Sequence, residues 1–283
     1  MKNKILLVLL ILLSLSLHSQ TFENVYRVQN KADSLIYIEK DTISFLNEIK
    51  AIPEQERFFS QELQLAKIFL KIGDTTNSLK HYLFAFKKGG GIDHIHSSLN
   101  PEHKKYLNKN YKQHHLLYMK NNDVSNEFLY KMYELLGNDQ LIRVQNRNSI
   151  VDNQEFAKTD SLNLLVLMEL IKSYGFPMQK AYGSHFHAFY ILMIHLPYLN
   201  VEVYQQFVSF YKNNLLDGAI TPDLLAYFID RYDYAENGAQ TYGSIADPYF
   251  GISKIKNAKD VDEKRSKLYL PSMRIWKARR GIK

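Results

Sequence analysis

The stretch Glu62-Leu-Gln-Leu-Ala66-Lys-Ile-Phe69-Leu-Lys-Ile-Gly73-Asp74, followed after a short turn by Ser78-Leu79-Lys-His-Tyr82-Leu-Phe-Ala85-Phe86, decides the fold class. Its apolar side chains recur every three to four residues, which winds them onto one face of a helix. Gly73 supplies a residue able to end the first helix, and Asp74 opens the turn. Small Ala66 and Ala85 stand where two helices can approach closely. The stretch therefore predicts a helical hairpin and resembles a tetratricopeptide-type helix pair. No second clean copy follows, and such repeats normally need stacked neighbours to bury their faces. An ordinary hairpin inside a larger helical domain is the competing reading.

Outward from this unit the helical period continues from about Glu23 to Ala235, without a convincing alternating strand pattern. The expected fold is all-α, a helical-hairpin segment followed by a C-terminal helical domain. Thr42 to Ile52 predicts a preceding helix, with Pro53 opening the next. Gly89-Gly90-Gly91 interrupts the pattern and marks a linker running to Pro101. Beyond Ser125 one helix is expected to stop at Gly137 and a short one to carry Asp139 to Arg147. Asp160 starts a long helix that ends at Gly175, and another runs from Gly183 to His195, closed by Pro197. Val201 to Asn213 forms the next. Thr221-Pro222-Asp223 combines a capping hydroxyl, a first-turn proline and an early acid, and predicts a helix ending near Asn237-Gly238. Short helices are expected around 262–267 and 271–280.

The first residues read as an export signal, with Lys2 and Lys4 ahead of an apolar run from Ile5 to Leu17 and small Ser19 at the cut. That run is shorter than the ~20 residues a spanning helix needs. Cysteine is absent, which excludes the lipid-carrying form of such a signal. The expected organisation is 1–19 signal, 22–90 repeat-like segment, 91–124 connector and 125–283 helical domain. After cleavage roughly 260 residues remain, ample for a real core. No later stretch is long and apolar enough to span a bilayer, and the mature protein is expected outside the cytoplasm. Net charge is +7, but two of the positive charges leave with the signal, and the basic run Lys277, Arg279, Arg280 and Lys283 reads as a solvated tail. Nucleic acid is not an expected partner of an exported protein. The 20 tyrosines and 16 phenylalanines read chiefly as core and helix-packing residues.

Polar residues that interrupt apolar helices carry the functional signal, because an unpaired buried charge costs several kcal/mol. Asp160 and Asn163 lie three residues apart on one helical face, with Asn163 roughly opposite Lys172 and hence inward. His195 follows the apolar run Ala188 to Ile194. Asp230-Arg231 follows Leu224 to Ile229; adjacent residues diverge by ~100°, so each is expected to reach a different element. Asp139 and Arg143 stand one turn apart as an ion pair, beside Gln140. The loop Gly238-Ala-Gln240-Thr-Tyr242-Gly243 joins two glycines to an amide and a phenol.

This ordered set, Asp139-Gln140-x-x-Arg143, Asp160-x-x-Asn163, Gly175-Phe176-Pro177, Gly183, His195, Asp230-Arg231, Gly238-x-Gln240-x-Tyr242-Gly243 and Asp262-Glu263-x-Arg265, resembles the bacterial domain-of-unknown-function family numbered sixty-six twenty-four. The resemblance covers roughly Gly137 to Met273. It implies a helical domain with shared polar positions and brings no established activity. The chain departs from that family's pattern at Phe176, where tryptophan is usual, at Ile194, where glutamine precedes the histidine, and at Ser244-Ile245, where Thr-Gln is usual.

Two functional expectations follow. In one, His195, Asp160, Asn163, Arg231 and Gln240 converge on a cleft that binds or hydrolyses a polar ligand, with His195 as proton shuttle, Asp160 orienting it and Arg231 clamping an anion. In the other, the polar set is a structural hydrogen-bond network and the N-terminal helices hold a protein partner. His94-x-His96 and His185-x-His187 have a spacing at which helical residues do not face each other. With no third ligand at zinc-type spacing, no metal and no cofactor are expected. Phosphate-cradling loops, nucleophile elbows and cysteine nucleophiles are absent from the sequence.

Overall fold

The helical hairpin forms where the apolar period places it. In the computed structural model, which describes residues 22–95, 99–122, 124–148, 152–196, 200–247 and 251–282, α3 covers Phe59–Lys71 and α4 Thr75–Lys87. Gly73 turns between them at φ +84°, and the Asp74 carboxylate accepts from the Asn77 N–H at 3.0 Å, capping α4. Ala66 and Ala85 are both fully buried, as close helix approach requires. At the centre of this hairpin, buried Glu62 accepts from Arg57 and is hydrogen-bonded to His81 Nδ1 at 2.7 Å.

The other helices complete an all-α architecture. Helix α1 occupies 22–34 and runs into a wider turn at Leu35–Glu39; α2 is Thr42–Ala51, α5 Pro101–Asn121, α6 Asn126–Arg147 and α7 Asn153–Tyr174. A short α8 at Gln179–Tyr182 leads through a tight turn into α9, Phe186–His195, followed by α10 at Val201–Asn213 and α11 at Pro222–Asn237. The chain closes with α12, Val261–Lys267, and α13, Met273–Arg280. Extended pairing among the described residues amounts to β1, Ala246–Asp247, antiparallel to β2, Gly251–Ile252, and a single bridge between Gln240 and Ile255. No helix of the described residues is long and apolar enough to cross a membrane. The expected signal segment and Pro197 lie outside the described residues.

Several expected boundaries move. Gly137 does not stop a helix: α6 continues through it, because the position faces solvent with open space around it and the cost of about 1 kcal/mol is carried by flanking packing. Asp160 does not start α7, which is capped by Asp152 accepting from the Glu155 N–H at 2.7 Å. Pro53 opens a single tight turn at Glu54–Glu56 instead of a helix. The glycine run 89–91 is not a free linker. All three residues are buried, and Gly89 sits against Gly183, where an added Cβ would stand 2.7 Å from the Gly89 carbonyl oxygen. Gly183 has φ +55°, so only glycine meets both demands at this joint.

The expected halves also share one core. Phe22, Phe45, Ile49 and Phe58 belong to the same buried cluster as Phe128, Phe189, Phe207 and Phe228. The Tyr26 hydroxyl donates to the Leu215 carbonyl at 3.1 Å, across 189 residues of sequence.

Candidate functional site

Helix α6 packs against both α7 and α9, and the polar residues that interrupt these helices meet at that junction. Asp139, fully buried on α6, is its centre. One carboxylate oxygen accepts from Arg143 Nε at 3.0 Å and Nη2 at 2.8 Å; the other accepts from Gln140 Nε2 at 2.7 Å and is bonded to His195 Nδ1 at 2.8 Å. Arg143 Nη2 continues to both Asp160 oxygens, at 3.2 and 3.1 Å. The guanidinium also lies 5.3 Å from the Phe156 ring centre. Asp139 and Asp160 are thus bridged by one cation, and the imidazole is tied to Asp139. The expectation that Asp160 orients His195 is corrected: the i,i+4 geometry of α6 aims Asp139 at α9, while Asp160 faces Arg143.

The electrostatics separate the two acids. Burial pushes Asp139 upward, but hydrogen bonds and positive charge from His195 and Arg143 outweigh it and hold the acid below the usual carboxylate range. Asp160 is raised, since burial and the Asp139 charge exceed what Arg143 returns. The polar atoms left open define what the cluster can do. His195 keeps 18% of its side chain exposed, and among the described residues its Nε2 has no hydrogen-bond partner; Arg143 Nη1 is likewise unpaired among them at 16% exposure. Asn163, inward as its spacing predicts, leaves Nδ2 buried without a partner. An imidazole with one nitrogen fixed by a carboxylate and the other open is the arrangement a proton shuttle needs.

Asp230, Gln240 and Tyr242 form a different network. One Asp230 oxygen accepts from the backbone N–H of Thr241 at 2.8 Å and Tyr242 at 2.7 Å, and the other from Ser244 N–H at 2.7 Å. The Gln240 side chain accepts from Ile245 N–H and donates to the Ile245 and Ser253 carbonyls, imitating a strand. Buried Arg265 donates to the Pro271 and Tyr242 carbonyls. Burial brings Arg265 down to about 10. Asp230, Gln240 and Tyr242 share no hydrogen bond with Asp139, Asp160 or His195. Arg231 is half-buried, with its guanidinium 6.0 Å from the Tyr227 ring centre. The expectation of one cleft holding both sets is corrected: adjacent Asp230 and Arg231 diverge as predicted, and Asp230 and Gln240 are consumed in holding the 240–245 loop.

A third feature escaped the sequence reading. A cleft of about 570 Å³ opens between α1, α3, the start of α11 and α13. Arg279 bridges Asp33 at 3.2 Å and Asp223 at 2.9 Å on its wall. Gln29 donates to Asp33 and Gln64, leaving its own Oε1 buried and unpartnered. Burial raises the Asp33 acid despite Arg279. The signal was present: Gln29 and Asp33 interrupt the apolar stripe Phe22, Val25, Tyr26, Ala32 of α1, as Asp160 and Asn163 do on α7.

Comparison with protein-family models, with curated proteins and with solved structures returned no match.

Proposed function

We propose that the α6–α7–α9 junction is a site for a small polar ligand and that His195 serves there as general base, with Asp139 as its orienting carboxylate. The observation that carries this reading is the asymmetry of the imidazole: Nδ1 is fixed at 2.8 Å on a sealed acid and Nε2 is open. Among the described residues, Arg143 Nη1 and Asn163 Nδ2 are two further donors without acceptors on α6 and α7. Together they suit a ligand bearing an anionic or carbonyl oxygen, with a water activated at Nε2 for hydrolysis. Arg143 takes over the anion-holding role expected of Arg231. Kinship with the family numbered sixty-six twenty-four, and export by the N-terminal segment, belong to this reading. The resemblance is supported by five of its quoted residues, Asp139, Gln140, Arg143, Asp160 and His195, being joined by hydrogen bonds.

The test compares wild type with His195→Gln against p-nitrophenyl esters and phosphates, with the folded state followed by circular dichroism. A folded variant that loses turnover by about 10²-fold or more agrees with the role. Equal turnover in both proteins would sink it, and an unfolded variant would favour a purely structural network. A second reading, an interaction protein whose N-terminal helices hold a partner in a tetratricopeptide-like manner, is favoured by the cleft that α1 and α3 help to bound.

A further inference from the structure

The cleft bounded by α1, α3, α11 and α13 is lined by amide side chains whose orientation the fold fixes. Gln29 Nε2 donates to the Asp33 carboxylate at 2.8 Å and to Gln64 Oε1 at 3.1 Å. Asn30 Nδ2 donates to the Tyr269 carbonyl at 2.8 Å. Gln61 Oε1 accepts from the Phe58 N–H at 2.8 Å, and Gln179 Oε1 from the Thr221 N–H at 2.7 Å. A backbone group or a carboxylate admits only one end of an amide, so each partner settles which end is oxygen and which nitrogen. The opposite ends, Gln29 Oε1, Asn30 Oδ1, Gln61 Nε2 and Gln179 Nε2, have no hydrogen-bond partner among the described residues. Gln29 Oε1 is moreover wholly buried, and a buried acceptor is destabilising until something supplies a donor.

Two acceptors thus come from α1, and two donors from α3 and α8. A ligand filling the cleft must donate toward one wall and accept from the others. An extended peptide alternates N–H and C=O along each edge, which does not match walls of a single kind. A hydroxyl donates and accepts at once, so a polyhydroxylated ring serves both. The charges agree with a neutral ligand. The charged residues lining the cleft are Asp33, Asp223, Lys67 and Arg279, two of each sign. Arg279 is already held by Asp33 at 3.2 Å and by Asp223 at 2.9 Å. Compensated charge of this kind gives no net attraction for a phosphate or an amine. The half-buried rings of Tyr37, Phe59 and Tyr269 add apolar surface on which the C–H face of a sugar packs. At about 570 Å³ the cleft falls within the ~300–1,000 Å³ of small-molecule sites, with room for a short oligosaccharide.

We infer that this cleft is a binding site for a neutral saccharide, its hydroxyls taken by the four amide ends and its ring faces by the aromatic walls. The site shares no lining residue with the α6–α7–α9 junction, so it stands or falls independently of the chemistry proposed there. It also names a sugar, not a protein segment, as the occupant of the cleft. The experiment screens the purified full chain against an array of neutral glycans and measures the strongest binder by calorimetry, with N-acetyl-trialanine amide as the peptide control. Saturable binding of a glycan with a Kd below about 1 mM is expected, and none of the tripeptide. Gln29→Met and Tyr37→Ala should each weaken the glycan by about tenfold, and Tyr37→Phe by less than about threefold. Binding to no neutral glycan, preference for the tripeptide, or wild-type affinity in both Gln29→Met and Tyr37→Ala overturns the proposal. Should those variants fail to fold, hydrogen exchange of the wild type decides. The bound glycan must slow amide exchange within 26–37 and 59–67, and protection that is absent or confined elsewhere overturns the site equally.

Discussion

Asp139 and Asp230 are both sealed carboxylates on helices, yet their lone pairs go to different kinds of partner. Asp230 accepts from three backbone N–H groups and so fixes a loop. Asp139 accepts from the side chains of Arg143, Gln140 and His195, two of which keep a nitrogen without a partner among the described residues. Side chain to backbone bonding closes a structure. Side chain to side chain bonding, ending in a partly exposed imidazole, leaves a polar nitrogen uncommitted among the described residues. The same criterion applied to a sequence, a polar residue on an apolar helix, cannot separate the two cases.

The largest effect expected is for Asp230→Ala. It strands three backbone N–H groups, two of them buried, and should lower stability by about 3–5 kcal/mol, read as a shift of the urea midpoint. A loss below about 1 kcal/mol would mean the 241–244 loop is held by other contacts and would dissolve the contrast. Asp139→Asn should cost about 2 kcal/mol, since Arg143 retains Asp160. A larger loss than at Asp230 would invert the ranking.

Acid titration sharpens the contrast through opposite signs. Asp139 is held below its unfolded value of ~3.9, so its contribution is fully present above that value and lost as the pH falls through the depressed folded value. Asp230 is raised, because burial outweighs its three N–H bonds. Its titrating contribution is fully present below ~3.9 and lost as the pH rises through the raised folded value. The stability gap between wild type and Asp139→Asn should therefore narrow on acidification, while that for Asp230→Asn should widen. Gaps that move in the same direction would break the comparison. The smallest effect is His195→Gln, expected within about 1 kcal/mol because the ring is partly exposed and only one of its nitrogens is bonded.

Much of the helical frame was legible. Thr42, Asn100-Pro101 and Thr221-Pro222 mark helix starts where they fall, and Gly238 ends α11 at φ +65°. The inward turn of Asn163 and the Asp139–Arg143 pair follow from helical spacing alone. What could not be read was which element each polar group reaches. Asp139 meets His195 across 56 residues, and that pairing depends on how α9 crosses α6. Gly137 and the glycine run at 89–91 misled for a related reason. Their local preference for a break is real, but tertiary packing overrides it, in one case by continuing a helix and in the other by pressing two glycines together.

That pressed joint has a mechanical corollary. With Gly89 against Gly183, Tyr26 bonded to Leu215 and Arg279 clasping Asp33, the N-terminal half and the C-terminal half are joined at three contacts. Cutting the gene near residue 91 to express the halves separately should give two insoluble pieces, each displaying the oily inner surface made for the other.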